Sequence, residues 1–505
     1  MRVLFLQNNG IQESIGIAGL AGMVKANGHQ ADLLLASHTP DLRAAIDAYK
    51  PQVVAFSALT GVHNAVLDLV KLVKTSFPDI TTVIGGPHPT YSPEVIEKPG
   101  VDVICRGEGE LAFLELCNKL EAGDDIRQVP NMWVKDRNGD IHKNELGPLA
   151  DLDELPFPDR EIYYKYDFIR DLPMKRFIAS IGCPYPCTFC HEPVIFQMYK
   201  GKGKYYRQKS PRRVVNEIAY IRDRYPLKHV HFSDDLFFLR NNYDWLEEFA
   251  PLYKTEIGLP YNCNIRYDSV VEKSANLLVI SKCFGVAVGL ESGNEHLREI
   301  VIKKRVKNDH MVDGAALLHE RGIKMLTTNM IGLPGETLDQ AFETVELNMR
   351  LKSTYTRANT FLLFPGLPLV DYAKREGFVD PNFDIDKHVA EALEINLITP
   401  YAREFGNLCS LFWLFVKFDP KWLPLFKRIV AWPDNIIFRM IGAANMVQEL
   451  LFYRLPFWAA LKFFRNTVLA SSNVMTMRNI PALFKVKKNS INTLDEVFEA
   501  DRGLL

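Results

Sequence analysis

The amino-acid sequence predicts an α/β protein in three parts: an open parallel sheet, a partial β/α barrel and a mainly helical carboxyl-terminal region. Three observations carry this expectation. Short β-branched runs alternate with helix-length segments through the first 120 residues, the βαβ pattern that builds a parallel sheet covered on both faces. The alternation resumes with longer units from 176 to about 370, and beyond about 375 the strand signal fades into Phe-, Trp- and Leu-rich segments interleaved with Lys and Arg.

In chain order, strands are expected at Val3 to Gln7, Ala31 to Leu35, Val53 to Ser57, Thr82 to Ile84 and Val101 to Cys105. Helices are expected around Ile17 to Asn27, Leu42 to Tyr49, Asn64 to Thr75 and Glu110 to Leu120. The result is a Rossmann-like (flavodoxin-like) unit over 1–125, whose ligands bind at the carboxyl ends of strands. Residues 126–175 read as a linker, with a small hairpin in the region from 121, because LADLDELPFPDRE combines charges with two periodicity-breaking prolines. Six units over 176–375 predict a TIM-like partial (β/α)6 barrel. Its strands are expected at Arg176 to Gly182, His229 to Asp234, Tyr261 to Arg266, Gly285 to Glu291, Lys324 to Ile331 and Thr360 to Phe364. Residues 376–505 complete the chain as a helical domain.

With 505 residues, 47% apolar composition and a formal net charge of −1, the chain is long enough for about three domains, and its overall charge gives no argument for nucleic acid as a partner. MRVLFLQNNG lacks the features of a signal peptide. Leu408 to Phe418 and Leu450 to Phe464 are too short or too interrupted to span a bilayer. Eight cysteines without a secretory signal predict reduced thiols in a cytoplasm.

Three of those cysteines sit together in GCPYPCTFCHEP, where Cys183, Cys187 and Cys190 have the spacing C-x3-C-x2-C. Three thiolates on one loop can hold three irons of a [4Fe–4S] cubane, while Pro184 and Pro186 stiffen the loop. The fourth iron is left open for the amino and carboxylate groups of a small molecule. Zinc fits less well, because it wants four protein ligands and His191 would have to supply the last from an adjacent position. Cys105, Cys117, Cys263, Cys283 and Cys409 have no ligand spacing and read as buried thiols, with Cys263 at a strand end directed toward the presumed site.

The cysteine motif, Phe189 before the third cysteine and the barrel resemble the radical S-adenosylmethionine superfamily. SPRRVVNEI, HFSDDLFF, VGLESGN, NMIGLPGE and FPGLPL continue the likeness over most of 176–370. The resemblance implies reductive cleavage of S-adenosylmethionine to a 5′-deoxyadenosyl radical, with the three cysteines as catalytic metal ligands and an electron donor such as flavodoxin or ferredoxin. It places Ser233, Asp234 and Asp235 at the methionyl amino group, with Ser and Asp replacing the usual glycines; a solvated turn is the alternative for the two aspartates. It places Glu291 and Ser292 at the ribose or carboxylate, and Ile331 with Gly332 against the adenine.

The first domain is similar to the cobalamin-binding domain of a subgroup of that superfamily, through Ser57, Ala58 and Leu59, then Gly85 and Gly86, then RGEGE near Arg106. Glycines at a strand end let backbone approach a nucleotide tail, and a small hydroxyl can bond it. The subgroup's D-x-H-x-x-G is absent; the region reads QNNGIQESIG. Cobalamin would therefore be held without that lower ligand. His63 and His88 are expected to be exposed loop residues without a metal role.

Residues 401–490 carry 13 Lys/Arg against 4 Asp/Glu among LFWLFVKF, KWLPLFKRIVAW and LFYRLPFWAALKFF. Three roles are open to this region: a core face against the barrel, an interfacial helix giving peripheral membrane contact, or a lid over an apolar substrate. The assembled expectation is a cobalamin-dependent methyltransferase acting on an unactivated carbon of a hydrophobic small molecule. The alternatives are a radical cyclase or rearrangement enzyme on a tetrapyrrole or lipid, and a non-catalytic metal-binding or membrane adaptor.

Overall fold

The computed structural model of the chain describes residues 1–10, 13–240, 242–383 and 397–454. Its first sheet contains β1 (Arg2–Gln7), β2 (Gln30–Leu35), β3 (Val53–Ser57), β4 (Thr81–Gly85), β5 (Val103–Cys105), β6 (Met132–Lys135) and β7 (Ile141–Lys143). The spatial order is β2-β1-β3-β4-β5-β6-β7. The first five strands pair in parallel. β1 is buried on both faces, and its side chains divide with the period of a strand: Val3 and Phe5 join Ile17, Ala21 and Val24, while Leu4 and Leu6 join Leu69 and Val70. Because the order reverses between β1 and β3, the loops after those strands part and leave a crevice. β6 and β7 form the hairpin expected in the linker region and extend this sheet antiparallel.

A second sheet holds β8 (Met174–Phe177), β11 (His229–Phe232), β12 (Tyr261–Ile265), β13 (Cys283–Glu291), β14 (Lys324–Ile331) and β15 (Tyr355–Thr360), in the order β15-β14-β13-β12-β11-β8. All of its pairings are parallel, as a half-barrel requires. β9 (Ser180–Ile181) and β10 (Arg207–Gln208) make a separate antiparallel pair that brackets the cysteine loop.

Two strand expectations need correction. The run expected from Arg176 to Gly182 breaks after Phe177, because Asp234 of the neighbouring strand end binds the backbone there. The sixth strand is Tyr355–Thr360 rather than Thr360 to Phe364. Pro365 has no N–H and Gly366 has φ +75°, so the apolar FLLF run turns away from the ladder. Polar Arg357 and Asn359 alternate in the true strand and hide it from a hydrophobicity reading.

β15 is an edge strand, and helix Ala402–Phe415 covers it. Phe405, Leu408 and Phe412 share one core with Ile331 and Ala358, so this part of the carboxyl-terminal region is core packing and blunts a pairing edge. Helix Ile436–Phe452 ends against the amino-terminal halves of the barrel strands, opposite the cysteine loop. The carbonyl of Phe452 accepts from Asn262 Nδ2 at 3.0 Å, and Arg454 lies 5.0 Å over Phe284. Among the described residues no helix is long and apolar enough to cross a membrane. The stretch of LFYRLPFWAALKFF after Arg454 lies outside them.

A buried ion network ties the two α/β parts through the linker. Arg160, 1% exposed, reaches Glu13 at 3.4 Å and Glu217 at 3.3 Å, while Lys209 pairs with Glu217 at 2.6 Å. Burial alone would favour the neutral guanidine, but the two carboxylates outweigh it and raise the Arg160 pKa. Removing one partner of such a network leaves uncompensated buried charge. Arg160→Ala should therefore cost about 3–5 kcal/mol, read as a lower urea midpoint; an unchanged midpoint would refute this role.

Candidate functional site

The cysteine loop leaves β9 and is fixed at both sides by backbone geometry. Thr188 donates to the carbonyl of Ile302 at 3.1 Å through its N–H and to that of Val301 at 2.7 Å through its hydroxyl, and its own carbonyl accepts from Leu369 N–H at 2.9 Å. Cys187 is buried and Cys183 and Cys190 are partly accessible. Burial pushes the Cys183 and Cys190 thiols up to about 12, so a metal must displace their protons on binding. Among the described residues no three His, Cys, Asp or Glu side chains converge as a single ion requires. Thiols spaced along one pinned loop suit a cubane, in which each takes its own iron. The donor set therefore fits the cluster better than zinc.

The other predicted residues divide into those that face the mouth and those that do not. The Ser233 hydroxyl accepts from Arg176 Nε at 2.9 Å. Asp234 is not a solvated turn: it is 1% exposed, and Oδ1 accepts from Ala179 N–H at 3.0 Å and the Ser180 hydroxyl at 2.6 Å. Its carboxyl is pushed up to about 7 by burial, and it joins the ends of β8 and β11. Asp235 has an accessible surface but stands in a recess, where the surrounding protein raises its pKa. Burial first and the Asp235 charge second push Glu192 up to about 7, and the Tyr205 hydroxyl donates to Glu192 at 3.0 Å. Glu192 was missed by sequence reasoning; its place two residues after Cys190 was the available signal.

Glu291 has φ +70° at a register shift between β13 and β14. The shift turns its carboxylate back across Gly289, where it pairs with Lys304 at 2.8 Å. A Cβ at Gly289 would overlap the ends of both charged side chains, so a larger residue there would displace the ion pair. Ser292 is buried, and its hydroxyl accepts from Asn294 N–H at 3.3 Å. Ile331 needs correction: it packs outward with Ala341 and Phe405, because the last residue of β14 falls on the helix-facing side. Met330 lies instead among Phe189, Leu333 and Phe361. Cys263 also faces the helical layer rather than the site, for the same alternation.

Gly332 N–H donates to Glu336 Oε2 at 2.6 Å, and Leu333 N–H to the same atom at 3.1 Å. Glu336 lines a cavity of about 240 Å³ with Gly332, Leu333, Phe378, Tyr401 and Phe405; no residue of the cysteine loop borders it.

On the first sheet, Gly85 and Gly86 end β4 beside the end of β3. Gly86 has φ +95°, and a Cβ there would stand 2.9 Å from the Ser57 hydroxyl and 3.0 Å from the Ala58 carbonyl. The Leu59 side chain is 54% exposed at this face. His63 and His88 are not exposed loop residues: both are buried, their rings stacked at 3.9 Å, and His88 Nδ1 lies 3.0 Å from the Thr60 hydroxyl. Their helical positions after β3 and β4 turn them against each other.

The strand-end loops of the two sheets meet. The Tyr91 ring stacks on His191 at 3.9 Å, and His191 Nε2 donates to the Pro365 carbonyl at 3.2 Å. The Tyr199 hydroxyl accepts from Glu108 N–H at 2.7 Å, and Arg207 forms an ion pair with Glu108. The loops after β4 and β5 are therefore in direct contact with the cysteine loop and the segment that follows it.

Glu336 supplies a pH test of the β14 end. Its carboxyl is pushed up to about 8 by burial, above the unfolded range, so this group favours folding at low pH and that contribution is lost as pH rises to about 8. Glu336→Gln keeps an acceptor for the two amides without titrating. Its stability relative to the parent should rise between about pH 4.5 and 8 in urea denaturation, and parallel pH profiles would contradict the assignment.

Comparison with known proteins agrees with this division into two α/β domains. The B12 binding domain family model matches residues 1–117 and the Radical SAM superfamily model matches 177–347. An uncharacterized methyltransferase of Pyrococcus horikoshii is 28% identical over 71% of this chain and 78% of its own. The anaerobic magnesium-protoporphyrin IX monomethyl ester cyclase of Rubrivivax gelatinosus is 27% identical over 83% and 80%. The radical S-adenosylmethionine methyltransferase TsrM from Kitasatospora setae shares the fold, with a TM-score of 0.62 at 19% identity over 76% of this chain and 79% of that one. With both domains matched in order and their strand-end loops in contact, the chain belongs to the radical S-adenosylmethionine superfamily, in the subgroup with an amino-terminal cobalamin-binding domain, and is an enzyme whose cofactors are a [4Fe–4S] cluster, S-adenosylmethionine and cobalamin.

Proposed function

We propose that this enzyme C-methylates an unactivated carbon of a hydrophobic small molecule held between the two strand-end faces. The observation that carries the reading is the apposition of the Gly86–Tyr91 segment and the cysteine loop through Tyr91 and His191. When bound, the cofactors supply an electron for cleavage of S-adenosylmethionine, a hydrogen-abstracting radical and a transferable methyl group. The chain's own residues hold and orient them. Cys183, Cys187 and Cys190 are the proposed cluster ligands. Ser233, Asp235, Glu291, Ser292 and the Gly332 segment are the proposed surroundings of S-adenosylmethionine, with Asp234 shaping the strand end and Met330 taking the apolar role first expected of Ile331. Ser57, Leu59, Gly85 and Gly86 are the proposed cobalamin face.

Phe189, Met330, Leu333, Phe361 and Phe364 form one apolar group at the barrel mouth, which supports an apolar substrate and keeps water from the reacting carbon. A cytoplasmic setting with a flavodoxin- or ferredoxin-like donor goes with this reading. Trp422, Trp432, Ile436 and Ile437, each at least 42% exposed, stand near Lys421 and Arg428 and support peripheral membrane contact.

The resemblance to the Rubrivivax cyclase over 83% of the chain favours one second reading, an oxidative cyclisation or rearrangement. Product mass separates the two: methylation adds a methyl group to a lipid or pigment, and cyclisation does not. Extracts of cells with and without the protein should contain a pair differing by one methyl group; a pair differing only by hydrogens or oxygen would replace methylation with the second reading.

The cofactor assignments carry their own expectations. Alanine at any of Cys183, Cys187 or Cys190 should remove the brown cluster absorbance and deoxyadenosine release after anaerobic reconstitution; full iron content in those variants, or zinc as the native metal, would sink the ligand assignment. Gly86→Val should strain the β4 end by about 1–3 kcal/mol, lowering cobalamin affinity roughly tenfold or more. Cobalt per chain after desalting measures it, and undiminished cobalt would exclude this face.

A further inference from the structure

Arg266 stands immediately after β12, against the cysteine loop. It is 8% exposed. One guanidinium nitrogen, Nη1, lies 3.7 Å from Cys187 Sγ, and the guanidinium plane lies 3.6 Å from the ring of Tyr185 within the same loop. The other two nitrogens are held by Asp268, Nε at 3.1 Å from Oδ1 and Nη2 at 3.3 Å from Oδ2. The backbone is tied too, since the Ser269 hydroxyl donates to the Arg266 carbonyl at 2.7 Å. The side chain is therefore locked from three directions with one N–H aimed at sulfur.

From this geometry we infer that Arg266 is a redox-positioning residue, which donates a charge-assisted hydrogen bond to the Cys187 sulfur and raises the reduction potential of the bound cluster. The inference rests on the proposed ligand set. Reduction adds one electron to the cluster and so one negative charge beside the loop; a buried cation within hydrogen-bond reach of a ligating sulfur favours that reduced state, as hydrogen bonds to cluster sulfurs do generally. Asp268 opposes the effect, because its carboxylate partly neutralises the guanidinium. The pair thus sets a potential between two limits: removing the cation makes the cluster harder to reduce, and removing the carboxylate makes it easier. Tyr185 contributes alignment, since a guanidinium stacked on a ring cannot swing its fork away from the sulfur.

The test is an EPR-monitored redox titration of the reconstituted full-length protein without S-adenosylmethionine, using dithionite as reductant, for the parent, Arg266→Gln and Asp268→Asn. Iron and sulfide content of the parent first establishes whether the ligand reading holds, independently of Arg266. Given a cluster, Arg266→Gln should lower the ratio of reduced to oxidised cluster at a fixed potential about tenfold, a midpoint shift of about 59 mV to the negative side. Asp268→Asn should shift the midpoint in the positive direction, and it decides the matter alone if Arg266→Gln fails to hold iron. Midpoints equal to the parent's overturn the inference. So does weaker binding of S-adenosylmethionine by Arg266→Gln with an unmoved midpoint, which would make the residue a substrate contact.

Discussion

In both sheets the long strands run one way, so the loops able to carry chemistry collect at one end of each. This molecule sets those two ends against each other. The Tyr91–His191 stack and the Tyr199 and Arg207 contacts to Glu108 hold the faces in register. Everything proposed for the site depends on that apposition: a cobalamin face and a cluster loop on separate surfaces would have no shared substrate. Two features maintain it at a distance, the buried Arg160 network in the linker and the antiparallel hairpin that the linker adds to the first sheet.

Two strand ends of the barrel hold buried carboxylates in specific local geometry. At the end of β13 a register shift and a left-handed Glu291 return a carboxylate over Gly289 to meet Lys304. At the end of β11 a buried Asp234 accepts hydrogen bonds from the chain leaving β8. Both arrangements spend hydrogen-bonding capacity on strand-end geometry: Asp234 holds the chain leaving β8, and Glu291 is paired with Lys304 beside Gly289. The carboxyl-terminal helices serve the opposite end of the barrel: one covers the edge strand, and another places Phe452 and Arg454 against Asn262 and Phe284.

Much of this was legible in the sequence because it follows from short-range pattern. Strands β1 to β5 and β11 to β14 fell where β-branched runs alternate with helical periods, and the cysteine spacing marked the loop without reference to anything distant. Legibility failed where polar residues occupy a strand, as at β15, and where proline stops an apolar run. It also failed for orientation. Ile331 and Cys263 lie at strand ends near the site, but the two-residue alternation of side chains turned them to the helical layer, and the phase of that alternation depends on register.

Two sheets of parallel strands, a three-thiol loop and the glycine pair at β4 can be read from the chain's own residues, because backbone sterics, hydrophobic periodicity and ligand spacing act within a few residues. Tertiary packing alone brings the two sets of strand-end loops into contact, buries His63 and His88 against each other and aims Arg266 at Cys187. Those facts join residues far apart in the chain, and the pairing of distant groups is set by how helices and sheets pack, a balance of burial and charge that local pattern does not encode.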